Sequence, residues 1–255
     1  MSMTVNIGQI PYLNCEPFFN GLDLEGIKLC PMAPSAMGPL AIEGMLQVAP
    51  FSLIQSFDIL GKYETLGDMG ISVRGPVRSI LLYSKVPITE LSGYTIGVTQ
   101  ESATSSQLLR VILEIRYDAT PKEYVNLETQ GISAFLLIGD QALETHNEVQ
   151  GFPYRYDLSE EWFNWQDLPF VFARWMIISS LDSRVKENIS KKLTDNLNRN
   201  MAGDLRDIVI KRRSMKMEPR VIEDYLRAFR YSFSNEDHKA IKVFETAWRS
   251  LGNKS

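Results

Sequence analysis

Tyr94 to Ile115 reads YTIGVTQESATSSQLLRVILEI. Tyr94 to Val98 is a short apolar run of the kind that makes a buried strand. Beyond it, apolar residues recur densely enough to predict a helix over 105–117, packed on a sheet. Between the two lie four hydroxyl side chains, Ser102, Thr104, Ser105 and Ser106. A strand, a hydroxyl-rich turn and a helix start make an anion site. The first N–H groups of a helix lack internal partners, and its dipole favours negative charge. Ser and Thr are equally the ordinary N-caps of any helix. On this stretch alone both readings stay open.

Working outward, strand-like runs recur with helical segments between them. Val5 to Ile10 alternates apolar and polar residues, and Pro11 to Pro17 then forms a loop made rigid by a proline at each end. Asn14 in that loop both donates and accepts, so it suits a neutral polar site; a turn residue bonding its own backbone is the plainer alternative. Ile27 to Cys30 and Leu46 to Ala49 are further strands, with a helix over 36–44 between them. Phe51 to Ile54 opens another helix, with Ser52 near its start.

Gly70 to Val73 and Val77 to Tyr83 read as strands separated by Arg74-Gly-Pro76, the second one central. At its beginning, Arg78 could grip a carboxylate in a bidentate fork or form a structural salt bridge, and Ser79 follows it. Ile132 to Ile138 is another buried strand, ending in Gly139 and Asp140. Gly139 permits close approach of a ligand to backbone, and Asp140 is either a ligand contact or a helix cap. Asp157 to Trp162 resembles a helix start, and Leu168 to Trp175 a strand. Helices are predicted over 184–200, 204–213, 220–231 and 237–251, the last preceded by a capping-box pattern at Ser234 and Asp237.

This alternation predicts an α/β protein with largely parallel sheets, in which ligands bind beyond the carboxyl ends of strands. The loops at Asn14, at Ser102 to Ser105 and at Gly139-Asp140 each follow a predicted strand, which favours one site over unrelated caps.

Composition narrows the partners. Hydrophobic content of 44% and charged content of 23% are ordinary globular values, and the net charge of -4 argues against a nucleic-acid partner. The basic trio Lys211, Arg212 and Arg213 reads as a solvated helix end. No signal-peptide pattern opens the sequence and no stretch is long enough to span a bilayer, so a cytoplasmic protein with no membrane partner is expected. Cys15 and Cys30 have no metal-ligand spacing, and no Gly-rich phosphate loop follows a strand; neither a metal nor a cofactor is expected.

The same loops carry a family resemblance. IPYLNCEPFF, VRGPVRSILLYSK, ESATSSQLLRVILE, LLIGDQAL, YDLSEEW and LPFVFARW, in this order, resemble the chorismate dehydratases of the futalosine route to menaquinone, from about residue 7 to residue 178. The resemblance implies a two-lobed fold like the type II periplasmic solute-binding proteins, with a ligand cleft between lobes. One lobe would take residues 1–88, the second 89–173, and residues 174–255 would return to the first and add the C-terminal helices. It also implies dehydration of chorismate to 3-[(1-carboxyvinyl)oxy]benzoate by a carbon-oxygen lyase. Asn14 would be the catalytic residue, with Ser52, Arg78, Ser79, Ser102, Thr104, Ser105, Gly139 and Asp140 holding substrate.

The base for the ring proton is the open point. His146 and His238 lie in polar surroundings and read as surface residues, and Glu16 and Glu101 are the carboxylates nearest the resembling motifs. The preferred reading has no side chain as the main base: chorismate would be held so that one of its own carboxylates takes the proton. Two positions depart from the family pattern. Gln47 replaces a common aspartate, and Gln166-Asp167 replaces Thr-Gly, where Asp167 would either repel a dicarboxylate or face solvent. A non-catalytic cytosolic binding protein for a small carboxylate is the alternative. The sister enzyme dihydroxynaphthoate synthase is disfavoured because its Ser-Pro-Cys-Pro-Asn motif is absent.

Overall fold

A computed structural model of the chain describes residues 4–101, 103–145, 149–203, 205–212 and 217–252. The chain divides into two compact units. The first comprises residues 1–71 and 173–232, the second 72–172 and 233–255.

In the first unit β1 (Val5–Gln9), β2 (Ile27–Pro31) and β3 (Val48–Ser52) each lead into a helix: α1 (Glu16–Phe19), α2 (Pro34–Ile42) and α3 (Leu53–Asp58). β1 pairs in parallel with β2 and β3. The long β4 (Tyr63–Val73) follows and carries the chain across the division of the two units. Sheet order from β1 outward is settled by hydrophobic strands that tolerate burial on both faces, such as β3 with all five residues buried.

The second unit holds β5 (Ile80–Ser84), β6 (Thr95–Val98), α4 (Ala103–Val111), β7 (Glu123–Asn126), β8 (Ala134–Ile138), α5 (Gly139–Glu144), β9 (Tyr154–Asp157) and α6 (Leu158–Gln166). Its sheet runs β7-β6-β8-β5-β9. β6 is parallel to β7 and β8, whereas β5 is antiparallel to β8 and β9. β6, β8 and β9 therefore point the same way, and α4, α5 and α6 all begin at one edge of this sheet.

β10 (Phe170–Ile178) returns the chain to the first unit, pairing antiparallel with β3. Then follow α7 (Ser183–Ala202), α8 (Arg206–Lys211), α9 (Pro219–Arg227), β11 (Phe229–Ser232) and α10 (Asn235–Leu251). The first sheet reads β11-β4-β10-β3-β1-β2. In its core, Phe18 packs edge-on against Trp175 with ring centroids 5.1 Å apart. In the second unit Trp162 and Phe170 pack edge-on against Phe244 of α10, at 5.8 and 5.0 Å.

Several expectations are corrected. The helix expected over 105–117 is an α-helix only from Ala103 to Val111 and continues as a π-helical turn, Ile112–Arg116. The helix expected over 220–231 stops at Arg227, and Phe229–Ser232 is a strand. Phe51, expected to open a helix, belongs to β3, while Ser52 ends that strand as the N-cap of α3, near the helix start as expected. Both sheets are mixed, because β5 runs against β8 and β9, and β10 against β3. The division between units differs from 1–88, 89–173 and 174–255 in two places. β5 is an interior strand of the second sheet, and α10 packs on α4. The capping box at Ser234 and Asp237 is present. Among the described residues, no helix is long and apolar enough to cross a membrane.

Candidate functional site

In the second unit the carboxyl edge of the sheet gathers most of the expected site. Antiparallel pairing sets Ile80, at the start of β5, opposite Ile138, at the end of β8. The peptides just beyond are joined as well: Gly139 N–H donates to the Ser79 carbonyl at 2.8 Å. Gly139 has φ +59°, a conformation that glycine adopts without the Cβ penalty, and it turns the chain from β8 into α5. Asp140 lies in the first turn of α5, whose N-cap is Ile138, so it does not cap that helix. Ser79 is buried, as are Thr104 and Ser105 in the first turn of α4. Thr99 Oγ1 accepts from the Glu101 N–H at 3.2 Å, which shapes the approach to that helix. Ser102 lies outside the described residues.

Arg78 is the strained member of this group. Its φ is +62°, where an L residue carries a Cβ clash worth about 1–2 kcal/mol. Its N–H donates to Asp157 Oδ2 at 2.6 Å. Asp157 also caps α6, its Oδ1 accepting from the N–H groups of Ser159 at 3.0 Å and Glu160 at 3.2 Å. One carboxylate thus fixes both a helix start and the left-handed turn that exposes the Arg78 side chain. Burial pushes its pKa above the usual carboxylate range, against the pull of backbone N–H donors from Arg78, Val77, Glu160 and Ser159.

In the first unit, Asn14 sits in a single 3-10 turn, Leu13–Cys15, beyond β1, and Ser52 sits at the end of the parallel β3. They share the carboxyl edge of that sheet. Asn14 Oδ1 is buried and has no hydrogen-bond partner among the described residues. A buried acceptor left unmade costs about 1–3 kcal/mol, so it marks a place for a ligand donor. Ser52 Oγ donates to Gln55 Oε1 at 3.1 Å.

Nearby, Arg174 was not singled out in the sequence. It is opposite Phe51 in the β10–β3 register, next to the Ala173–Ser52 pair. Its Nε donates to Ser56 Oγ at 2.7 Å, and its guanidinium lies 5.4 Å from the centre of the Phe57 ring. The available signal was a lone charge inside the otherwise apolar FVFARWMII.

The remaining expectations separate clearly. Glu16 is engaged by Arg212 at 2.7 Å, and Glu101 is exposed. His238 is exposed with its ring edge-on to Phe233, and His146 lies outside the described residues. The basic trio is no solvated helix end: Arg212 and Lys211 bond to Glu16 and Asn20, while Arg213 lies outside the described residues. Gln47 precedes β3, at the sheet edge opposite Ser52, and its Oε1 accepts from the Asn6 N–H at 2.9 Å. It straps backbone together, away from Asn14 and Ser52. Asp167 points into solvent and pairs with Arg74 at 2.9 Å, so its charge is partly met.

A family model described as menaquinone biosynthesis matches residues 5–249. Chorismate dehydratase of Thermus thermophilus is 29% identical over 265 residues, covering 94% of each chain. Among solved structures, protein AF1704 from Archaeoglobus fulgidus is similar at TM-score 0.77 and 15% identity, covering 98% of both chains. The periplasmic aliphatic sulphonate binding protein SsuA from Escherichia coli is similar at TM-score 0.68 and 10% identity, covering all of this chain and 88% of its own. The fold is that of the periplasmic binding proteins, and the match along nearly the whole chain means that this protein belongs to the menaquinone biosynthesis family.

Proposed function

We propose that this protein is a cytoplasmic carbon-oxygen lyase that dehydrates chorismate to 3-[(1-carboxyvinyl)oxy]benzoate. The observation that carries the reading is the likeness to the Thermus chorismate dehydratase along 94% of both chains. The geometry adds support in each unit. A helix start lined by the buried hydroxyls of Thr104 and Ser105, on the same sheet edge as Ser79 and the exposed Arg78, suits a carboxylate. The unpartnered Oδ1 of Asn14 suits a hydroxyl donor, which the ring of chorismate carries. Ser52, at the same sheet edge as Asn14, suits a hydrogen bond to the second carboxylate.

The reaction removes a ring C–H proton and the neighbouring hydroxyl, and the ring becomes aromatic. Glu16 is occupied by Arg212 and Glu101 is exposed, so neither suits a buried general base. One carboxylate of chorismate then takes the proton, and the C–H electron pair becomes the new ring double bond as the neighbouring C–O bond breaks. The hydroxyl, oriented by Asn14, receives a proton back from that carboxyl and leaves as water. Gly139 and Asp140, and the Ser102 that precedes α4, complete the substrate contacts in this reading. The test is purified protein with chorismate, followed by mass spectrometry. Loss of one water supports it. No product, with saturable thermal protection by chorismate, favours a non-catalytic carboxylate-binding protein.

A further inference from the structure

The turn that carries Asn14 is too short to hold itself. Leu13–Cys15 is one 3-10 turn, closed by the Cys15 N–H on the Tyr12 carbonyl at 3.0 Å, and such pieces are not stable alone. Two side chains from far along the chain brace it. Tyr231 of β11 donates its hydroxyl to the Asn14 carbonyl at 3.0 Å. Its ring is buried, edge-on to Phe18 at 5.3 Å, so it has little freedom to move. Burial, with lesser contributions from Cys15 and Tyr225, pushes the phenol well above its usual pKa, which keeps it a neutral donor. Arg212 joins the two ends of the loop: one guanidinium nitrogen donates to the Pro11 carbonyl at 3.0 Å and to Glu16 Oε1 at 2.7 Å.

We propose that Tyr231 is a positioning residue for Asn14, fixing the peptide from which the buried Oδ1 is presented while Arg212 fixes the loop's two ends. This rests on the reading of Asn14 as the group that meets the leaving hydroxyl. The physical need is plain, since a misplacement of about 1 Å costs on the order of a hundredfold in rate. The brace acts through backbone, so it leaves substrate affinity alone and acts on the chemical step.

Tyr231→Phe in the full chain deletes one hydroxyl and keeps the ring packing. Three quantities are measured: amide hydrogen exchange at residues 12–15, kcat and KM with chorismate, and the thermal midpoint. The expected result is exchange about tenfold faster at Leu13 to Cys15, kcat lowered about tenfold and KM within about twofold. Unchanged exchange overturns the brace. Faster exchange with unchanged kcat overturns the positioning role and leaves the proposed activity standing. An inactive wild type with faster exchange in the variant does the reverse, sinking the activity and keeping the brace. Should Tyr231→Phe fold too poorly to assay, Arg212→Met combined with Glu16→Gln replaces it: the pair removes the one nitrogen that holds both loop ends without stranding a charge. Unchanged exchange at residues 12–15, or faster exchange with unchanged kcat, then overturns the bracing of this loop.

Discussion

The two units present similar edges made in different ways. In each, parallel strands lead into helices at the carboxyl edge of a sheet. The second unit builds its edge from local parts: α4 starts five residues after β6 ends, α5 follows β8 directly, and Asp157 caps its own helix. The first unit has only the four-residue α1 and six-residue α3 beside Asn14 and Ser52. It makes up for weak local structure with long-range bonds, from Tyr231 and Arg212 to the Asn14 loop and from Arg174 to Ser56. Residues at the first edge should therefore be sensitive to distant substitutions. Those at the second, apart from the Arg78–Asp157 and Ser79–Gly139 bonds, should respond mainly to near neighbours.

The harshest probe of that contrast is Asn14→Ala. Loss of one preorganised polar group at a reacting centre costs on the order of a thousandfold in kcat. The thermal midpoint should rise rather than fall, because Asn14 Oδ1 supports no bond within the described protein and its removal lifts the cost of an unmade buried acceptor. A steady-state assay beside a melting curve separates the two. A large drop in stability instead would make Asn14 a framework residue.

Next in size is Arg212→Ala. It strands the Glu16 carboxylate, whose side chain is only 18% exposed, and frees both ends of the loop. A partly buried pair lies between surface and core cases, so a loss of about 2 kcal/mol in denaturant unfolding is expected, with kcat lowered at least tenfold. Adding Glu16→Gln should recover much of the stability but little of the rate. Recovery of both would show that the loop needs no brace.

The same contrast explains what could be read from the sequence. Asp157, the Ser234–Asp237 capping box and the glycine at 139 are local signals, set by the few residues on either side, and they appear in the structure where the sequence has them. Tyr231 was hidden because the amphipathic pattern of Pro219–Arg227 runs on into FRYS, and a four-residue strand is too short to announce a change of period. Arg212 looked like solvated charge because its partner lies 196 residues away. β7 and β9 were missed for another reason. They are the two outer strands of their sheet, half-exposed and polar, without the apolar run that marks β8. The family resemblance named the candidate loops; it could not show which remote side chains hold them.

A milder effect is expected at the second edge. Thr104→Val keeps the shape of a buried side chain and deletes its hydroxyl. If that hydroxyl meets a substrate carboxylate, KM for chorismate should rise about tenfold, the value of one charge-assisted hydrogen bond, with kcat nearly unchanged. An unchanged KM would return α4 to being an ordinary capped helix.

The smallest effect belongs to Asp157, and it tests whether the local edge is self-contained. Burial raises its folded-state pKa above the ordinary aspartate value of 3.8, while backbone N–H donors pull the other way. A raised folded pKa means that the native protein binds this proton more tightly than the unfolded chain. Its contribution is therefore fully present below 3.8 and is lost as pH rises through the folded pKa. Asparagine cannot titrate and keeps one acceptor oxygen for the Ser159 and Glu160 N–H groups. The Arg78 N–H loses its partner at every pH, which shifts the difference by a constant. The unfolding free energy of wild type minus that of Asp157→Asn should fall as pH rises from below 3.8 and level off above the folded pKa. Urea titrations across that range read it directly. A difference that climbs instead would mean that the N–H donors outweigh burial, and that the Arg78 turn is held most firmly by the ionised carboxylate.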